Sequence, residues 1–333
     1  MIFIFINVVS ANDNVTCDLD LNDVVLDTSD VDLMGENLVY NATLMTKNST
    51  PLSNQEVIFS INGIDYRKIT DMNGIAFLNI NLNDGIYSIS TTFKNQDNHQ
   101  ITNNNTIYVS KNLGTLIKDN LLGSEIQKII DSANSGDVLI FAGSKYDDVM
   151  LTVNKPLNII SIVKSILNGN SASPVITIKS NDVIISNFEI SLGSVGVLVD
   201  KGNNVKISSN NIINNQNGIH VVHSYDVLIV NNNISNSKHN AIFLKDSNNS
   251  NISYNNLLNN YNGIYFDDNV LESQIFSNYI TKSTNDAISF AKSGSHTNIS
   301  YNMIENNANG IFIDMVGDED LNIELNTIQK NKI

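Results

Sequence analysis

The sequence predicts an all-β protein, in which a small β-sandwich precedes a parallel β-helix with a short helix at its start. Three observations lead there. From Gly196 to Asn331 one phrase of about 23 residues is written six times. Within each copy the apolar residues alternate in short runs, and no ten-residue helical stripe appears. Ahead of this region, residues 37–110 divide into short alternating runs separated by turn signals.

Each copy opens on a small residue: Gly196, Gly218, Ala241, Gly263, Ala287 and Gly310, at intervals of 22, 23, 22, 24 and 23. An isoleucine column follows at Ile207, Ile229, Ile252, Ile275, Ile299 and Ile323. Three residues beyond each stands an asparagine: Asn210, Asn232, Asn255, Asn278, Asn302 and Asn326. Two further on lies another aliphatic, Ile212, Ile234, Leu257, Ile280, Ile304 and Ile328. A repeat of this length means a solenoid. Runs of period two make its coils from short strands, stacked in parallel about 4.8 Å apart. The asparagines suit the corners, because Asn tolerates left-handed backbone angles. Their amides are also able to hydrogen-bond from coil to coil.

The chain has 333 residues, room for two or three domains, and 41% hydrophobic residues, enough for a real core. A net charge of −15 argues against a nucleic-acid partner, since phosphate binding needs Lys and Arg. Arg67 is the only arginine, and with Cys17 the only cysteine no intrachain disulfide can form. Stability therefore comes from stacking.

Met1 to Ala11 is an apolar run ending Val9-Ser10-Ala11, which suits signal-peptide cleavage and export. It is too short to span a bilayer, and the mature chain has no other candidate span. Residues 12–36 form an acidic linker with room for an edge strand. Asp18 to Asn22 looks superficially like a calcium loop, but position six is Asp23 and position twelve is Ser29. Strand runs then come at Leu38–Met45, Glu56–Ile61, Ile64–Thr70, Ile75–Asn81, Ile86–Phe93 and Thr106–Ser110. Asn62-Gly63 between two of them is a hairpin signal. Six strands at this spacing make a small sandwich over 37–110. Residues 111–123 link it to the β-helix of 124–331. The helix runs over 124–133 with Ser124 as N-cap, and Ile126, Ile129, Ile130 and Ala133 share one face. That face covers the open edge of the first coil.

Two resemblances rest on these stretches. Tyr66, Thr70, Asp71, Asn73, Gly74, Ala76 and Leu78, followed by Gly85, Tyr87 and Ile89, resemble the bacterial immunoglobulin-like domains of surface adhesins, which act as spacers. The helix, then Gly136-Asp137 with Leu139, Phe141, Gly143 and Tyr146, then the Asn-and-Ile coils, looks like the opening of pectate-lyase-like β-helix domains. That likeness implies a right-handed solenoid. Together the pair resembles the adhesin-like surface proteins of methanogenic archaea. The chain stops at Ile333 soon after the last coil, so an incomplete C-terminal end is expected.

On the first strand of each coil one residue points outward: Leu198, His220, Phe243, Tyr265, Ser289 and Phe312. His220, Phe243, Tyr265 and Phe312 are the candidate binding ladder, since aromatic faces in a row stack on sugar rings or pack on a protein. A loop or further chain covering them is the alternative. Beside them Asp246, Asp267, Asp268 and Asp314 form a candidate polar flank, with Asp200, Lys201, His223, Lys245 and Lys292 nearby. Such carboxylates could bind calcium or do glycosidic acid–base work, but turn residues that keep the surface wet explain them as well. His220 and His223, three apart on a strand, face opposite sides, which argues against a shared zinc or copper ion.

No catalytic residue is assigned. Polygalacturonase-like hydrolases carry Asn-Thr-Asp, Asp-Asp, Gly-His-Gly and Arg-Ile-Lys in succession, and only Asp267-Asp268 matches in the solenoid. Lyases of this kind use an arginine or lysine base; Arg67 lies in the other domain, and a lysine such as Lys245 or Lys292 stays open with nothing to single it out. No cofactor is required. The expected function is adhesin-like: a secreted cell-surface protein whose solenoid flank contacts a glycan or a surface protein. A polysaccharide lyase or glycoside hydrolase of the same fold is the alternative. Seven sequons, at Asn41, Asn48, Asn104, Asn233, Asn248, Asn251 and Asn298, are attachment points for glycans if the chain is exported.

Overall fold

A computed structural model describes residues 21–332 apart from 36, 96, 112–113, 293 and 315–319. The expected signal segment Met1–Ala11, Cys17 and the start of the calcium-like stretch lie outside the described residues. The chain divides into two compact units, 1–109 and 110–333. No helix among the described residues is long and apolar enough to cross a membrane.

The first unit is two antiparallel sheets around one apolar core. Val24–Asp27, Val39–Thr46 and Ile75–Asn79 make the smaller sheet. The larger runs Val31–Met34, Gln100–Ser110, Gly85–Lys94, Glu56–Ile61, Ile64–Ile69. Asn62 and Gly63 both take positive φ, 52° and 77°, so the turn between Ile61 and Ile64 has the handedness a tight hairpin needs. At the next turn the Asp71 carboxylate accepts from the backbone N–H groups of Asn73 and Ile75, at 2.9 Å each. Within the stretch read as acidic linker, Val24–Asp27 and Val31–Met34 are edge strands, one on each sheet. Val24, Leu26 and Leu33 are buried in the core, while the aspartates between them stay at the surface. Four-residue strands spaced by Asp carry too few apolar residues to stand out in sequence.

The second unit is a right-handed parallel β-solenoid of three sheets with ten, nine and eight strands, about nine turns. Equivalent residues of successive copies pair in parallel register: Ile207 with Ile229, Ile229 with Ile252, Ile252 with Ile275, Ile275 with Ile299. All five are fully buried in one continuous core. Ile323, on the last described coil, is 41% exposed, because no described coil stacks beyond it.

Helix Gly123–Ser132 lies over the first coil, with Ile126 and Ile130 fully buried in the solenoid core. Its start differs from expectation. Leu122 is the N-cap, not Ser124, and Glu125 Oε2 accepts from the Leu122 backbone N–H at 2.8 Å. A Glu at the third helical position closes the turn without a hydroxyl at the cap. Gln127 then pairs with the Thr152 backbone through both ends of its amide, at 3.0 and 2.8 Å. Lys155 Nζ donates to the Asp131 and Ala133 carbonyls that the helix end leaves open.

The asparagine column also differs from expectation. Left-handed φ belongs to the residue before each one: Ser209 (60°), Asn231 (57°), Tyr254 (56°), Ser277 (52°), Tyr301 (59°) and Leu325 (56°). The asparagines themselves turn inward and stack. Nδ2 of Asn210 donates to Oδ1 of Asn232 at 3.1 Å, and the pattern repeats through Asn255, Asn278, Asn302 and Asn326. Each Oδ1 also accepts the backbone N–H of the asparagine one coil back. The corner tolerates Tyr or Leu because only the backbone must turn there. The amide inside is what satisfies the buried peptide groups.

Candidate functional site

The eight-stranded sheet carries the outward column. Leu198, His220, Phe243, Tyr265, Ser289 and Phe312 stand in register on successive coils, as the strand parity predicts. His220 meets Phe243 edge-on with centroids 4.2 Å apart, and Phe243 lies parallel to Tyr265, 7° between planes and 5.7 Å between centroids. Ser289 is only 2% exposed and interrupts the row, so Phe312 stands apart from the other three. A second aromatic row, Tyr254, Phe276 and Tyr301, runs along a different corner in edge-on contacts of 5.5 Å.

Beside the three rings lies a groove of about 410 Å³. Its floor combines His220, Phe243 and Tyr265 with Asn217, Asn240 and Asn262, the residues that precede the small Gly or Ala of each copy. His239 and Tyr261, on the connections before those strands, and Asp267, just past the strand Asn262–Phe266, complete the lining. The small residue is required by the close stacking of coils. A Cβ on Gly263 would run into the Ala287 carbonyl, and one on Gly218 into that of Ala241. The three floor amides form their own column. Asn240 Nδ2 donates to Asn217 Oδ1 at 3.3 Å, and Asn262 Nδ2 to Asn240 Oδ1 at 2.9 Å. One coil on, the place is taken by Asp286, which is 5% exposed. It accepts from Asn309 Nδ2 at 2.7 Å and from Asn285 Nδ2 at 3.1 Å.

Of the four candidate flank acids, Asp267 alone lines the groove. Lys245 Nζ is 3.0 Å from Asp267, and Lys292 Nζ lies 4.0 Å from Asp267 and 3.9 Å from Asp268. Asp246 sits 3.8 Å from His223 Nε2, whose other nitrogen is 3.5 Å from Asp200. Asp314 acts on the groove only through its field, together with Asp267 and Asp286. Burial first, and then those three carboxylates, push the Tyr265 hydroxyl above its ordinary pKa, so it remains a neutral donor. Burial alone holds His220 below the ordinary histidine value, which favours neutral imidazole at pH 7. The hydrogen bond to Asp267 raises Lys245. A general base needs the opposite shift, so Lys245 is unsuited to abstract a proton.

His239, Tyr261, Asp286 and the floor amides escaped the sequence reading. The amides carried a signal, since Asn217, Asn240, Asn262, Asp286 and Asn309 stand one place before five of the six small residues. His239 and Tyr261 recur nowhere, and only the fold brings them to the groove.

The profile of the family described as "Periplasmic copper-binding protein (NosD)" matches residues 131–295 and again 242–333. No curated protein matches the sequence. Solved structures with similar backbones include an alginate lyase from Paenibacillus sp. (14% identity, 65% of this chain, 97% of that one, TM-score 0.41). The enzymatically active domain of tailspike protein 2 of bacteriophage CBA120 shares 9% identity over 89% of this chain and 50% of its own, TM-score 0.46. A family 28 exopolygalacturonase of Yersinia enterocolitica shares 9% identity over 92% and 99%, TM-score 0.38.

The family description raises copper, and the donors among the described residues do not fit it. Among the described residues no three His, Cys, Asp or Glu side chains converge to hold a metal ion. His220 packs against Phe243, and His223, on a left-handed corner (φ 52°), is engaged by two aspartates. Copper needs soft or imidazole ligands brought to one point. The matched segments run through the coils from residue 131 to residue 333, more than half the chain, and on that ground the chain belongs to the NosD family.

Proposed function

We propose that the protein is an exported, adhesin-like glycan-binding protein of the periplasm or cell surface, acting through the lateral groove at His220, Phe243 and Tyr265. The observation that carries this reading is the groove's composition. Aromatic rings and amide side chains on one floor are the two kinds of group that hold a sugar: rings cover its C–H faces, and amides bond its hydroxyls. Rings at successive coils, about 4.8 Å apart, repeat along the axis and suit a chain of residues better than one small molecule. The family's periplasmic description supports export. The two-sheet N-terminal unit serves in this reading as an immunoglobulin-like spacer.

A glycan array with the full chain, Phe243→Ala and Tyr265→Ala is the test. Glycan binding lost in both variants is expected, and binding unchanged in both would remove the groove as the site. Incubation with uronate polymers checks the lyase alternative: appearance of unsaturated products would replace binding by catalysis.

A further inference from the structure

We infer that the groove selects uncharged glycan chains, built of neutral hexose or acetamido-hexose units, and excludes uronate and sulfated chains. The inference rests on the glycan-binding reading and adds the class of sugar. Asp267 lines the groove together with the rings and the floor amides, so a carboxylate is among the groups a bound chain meets. Asp286 stands in the same side-chain column as the floor amides, directly beyond Asn262, whose Oδ1 accepts the Asp286 backbone N–H at 3.1 Å. An asparagine would stack there as well, as Asn309 does one coil further on. An aspartate adds a negative charge that stacking does not require.

Two lysines offset Asp267 and Asp268 from outside the groove lining, whereas Asp286 is met by amide donors alone. Lys245 and Lys292 both turn to Asp267, and Lys292 also reaches Asp268. The protein's one arginine, Arg67, belongs to the other unit, where it pairs with Glu56. Lys238, next to His239 in sequence, is not part of the groove lining. No Lys or Arg lines the groove: beside the His220 and His239 imidazoles it offers amide and hydroxyl donors and one carboxylate acceptor. A uronate unit there meets like charge in a partly desolvated site. A neutral unit meets hydrogen-bonding groups that match its hydroxyls.

The test is calorimetric titration of the full chain with cellohexaose, laminarihexaose and chitohexaose against hexamers of galacturonate and mannuronate, in about 50 mM and about 1 M salt. Expected is at least one neutral hexamer bound about tenfold or more tightly than either uronate at low salt. High salt should narrow the gap, since the Debye length falls to about 3 Å. Asp286→Asn and Asp267→Asn should each raise uronate affinity relative to neutral affinity. Asp286→Asn is the safer variant because the column already accommodates Asn on either side. Uronate hexamers bound as tightly as neutral ones, with binding lost in Phe243→Ala, would overturn the charge selection and leave the glycan reading standing. A preference untouched by salt and by both variants would overturn it too. Binding of neither class would remove the glycan reading and this inference together.

Discussion

Two of the asparagine columns in the solenoid differ in what their amides have left to offer. In the interior column, Asn232, Asn255, Asn278 and Asn302 are each 1% exposed. Asn255 is representative: its Oδ1 accepts from the Asn232 backbone and side chain, and its Nδ2 donates to Asn278 and to the Ile229 carbonyl. Nothing remains for a ligand. In the groove column, Asn240 donates to Asn217 and accepts from Asn262, which leaves one N–H of its Nδ2 without a partner among the described residues. The same residue type, stacked at the same spacing, is sealed into the scaffold in one place and lines a groove in the other. Depth within the coil decides which.

That contrast breaks most visibly at the interior column. Asn255→Ala strands two donors and a carbonyl in the core, and should cost about 2–4 kcal/mol in urea unfolding. Asn240→Ala should cost under about 1 kcal/mol yet weaken glycan binding. Equal stability losses at the two positions would erase the distinction. Next in size is Gly263→Ala, which places three alanines in succession with Ala241 and Ala287 and drives a Cβ into the Ala287 carbonyl. A loss of about 1–3 kcal/mol is expected by the same unfolding measurement.

Phe243→Ala sharpens the comparison from the other side. It should cut glycan affinity about tenfold or more while thermal unfolding stays cooperative, since the half-exposed ring packs on neighbours and not in the core. The smallest effect concerns pH. Burial lowers the His220 pKa in the folded chain, so between that value and the ordinary one near 6.5 the unfolded chain binds more protons. Its contribution is present above about 6.5 and is lost as pH falls from there through the folded value. Tm should therefore drop less between pH 7 and pH 5 in His220→Phe than in the parent chain.

Much of the solenoid was legible because a repeat reports the same fact six times. The isoleucine register, the parallel stacking and the outward direction of His220, Phe243 and Tyr265 all follow from a two-residue strand period inside a coil of about 23 residues. The corners were read one residue late: Asn at the recurring position suggested the turn, whereas the turn falls on the varied residue before it. Ser289 and Phe312 have the right parity, but Ser289 is covered and separates Phe312 from the other rings. In the N-terminal unit, Asn62-Gly63 declared its hairpin, while the strands at Val24–Asp27 and Val31–Met34 were hidden among aspartates.

Sequence alone determined the solenoid, its period and which side chains face in, because those depend on neighbours one or two residues away and on a register that repetition enforces. Only the tertiary structure decided that one amide column is sealed and another opens on a groove. It also decided that His239, Tyr261 and Asp267 meet there, and that Lys245 and Lys292 turn to that acid. Those are contacts between residues a whole coil apart, set by how far each connection folds over its neighbour, and no local pattern of hydrophobicity encodes that distance.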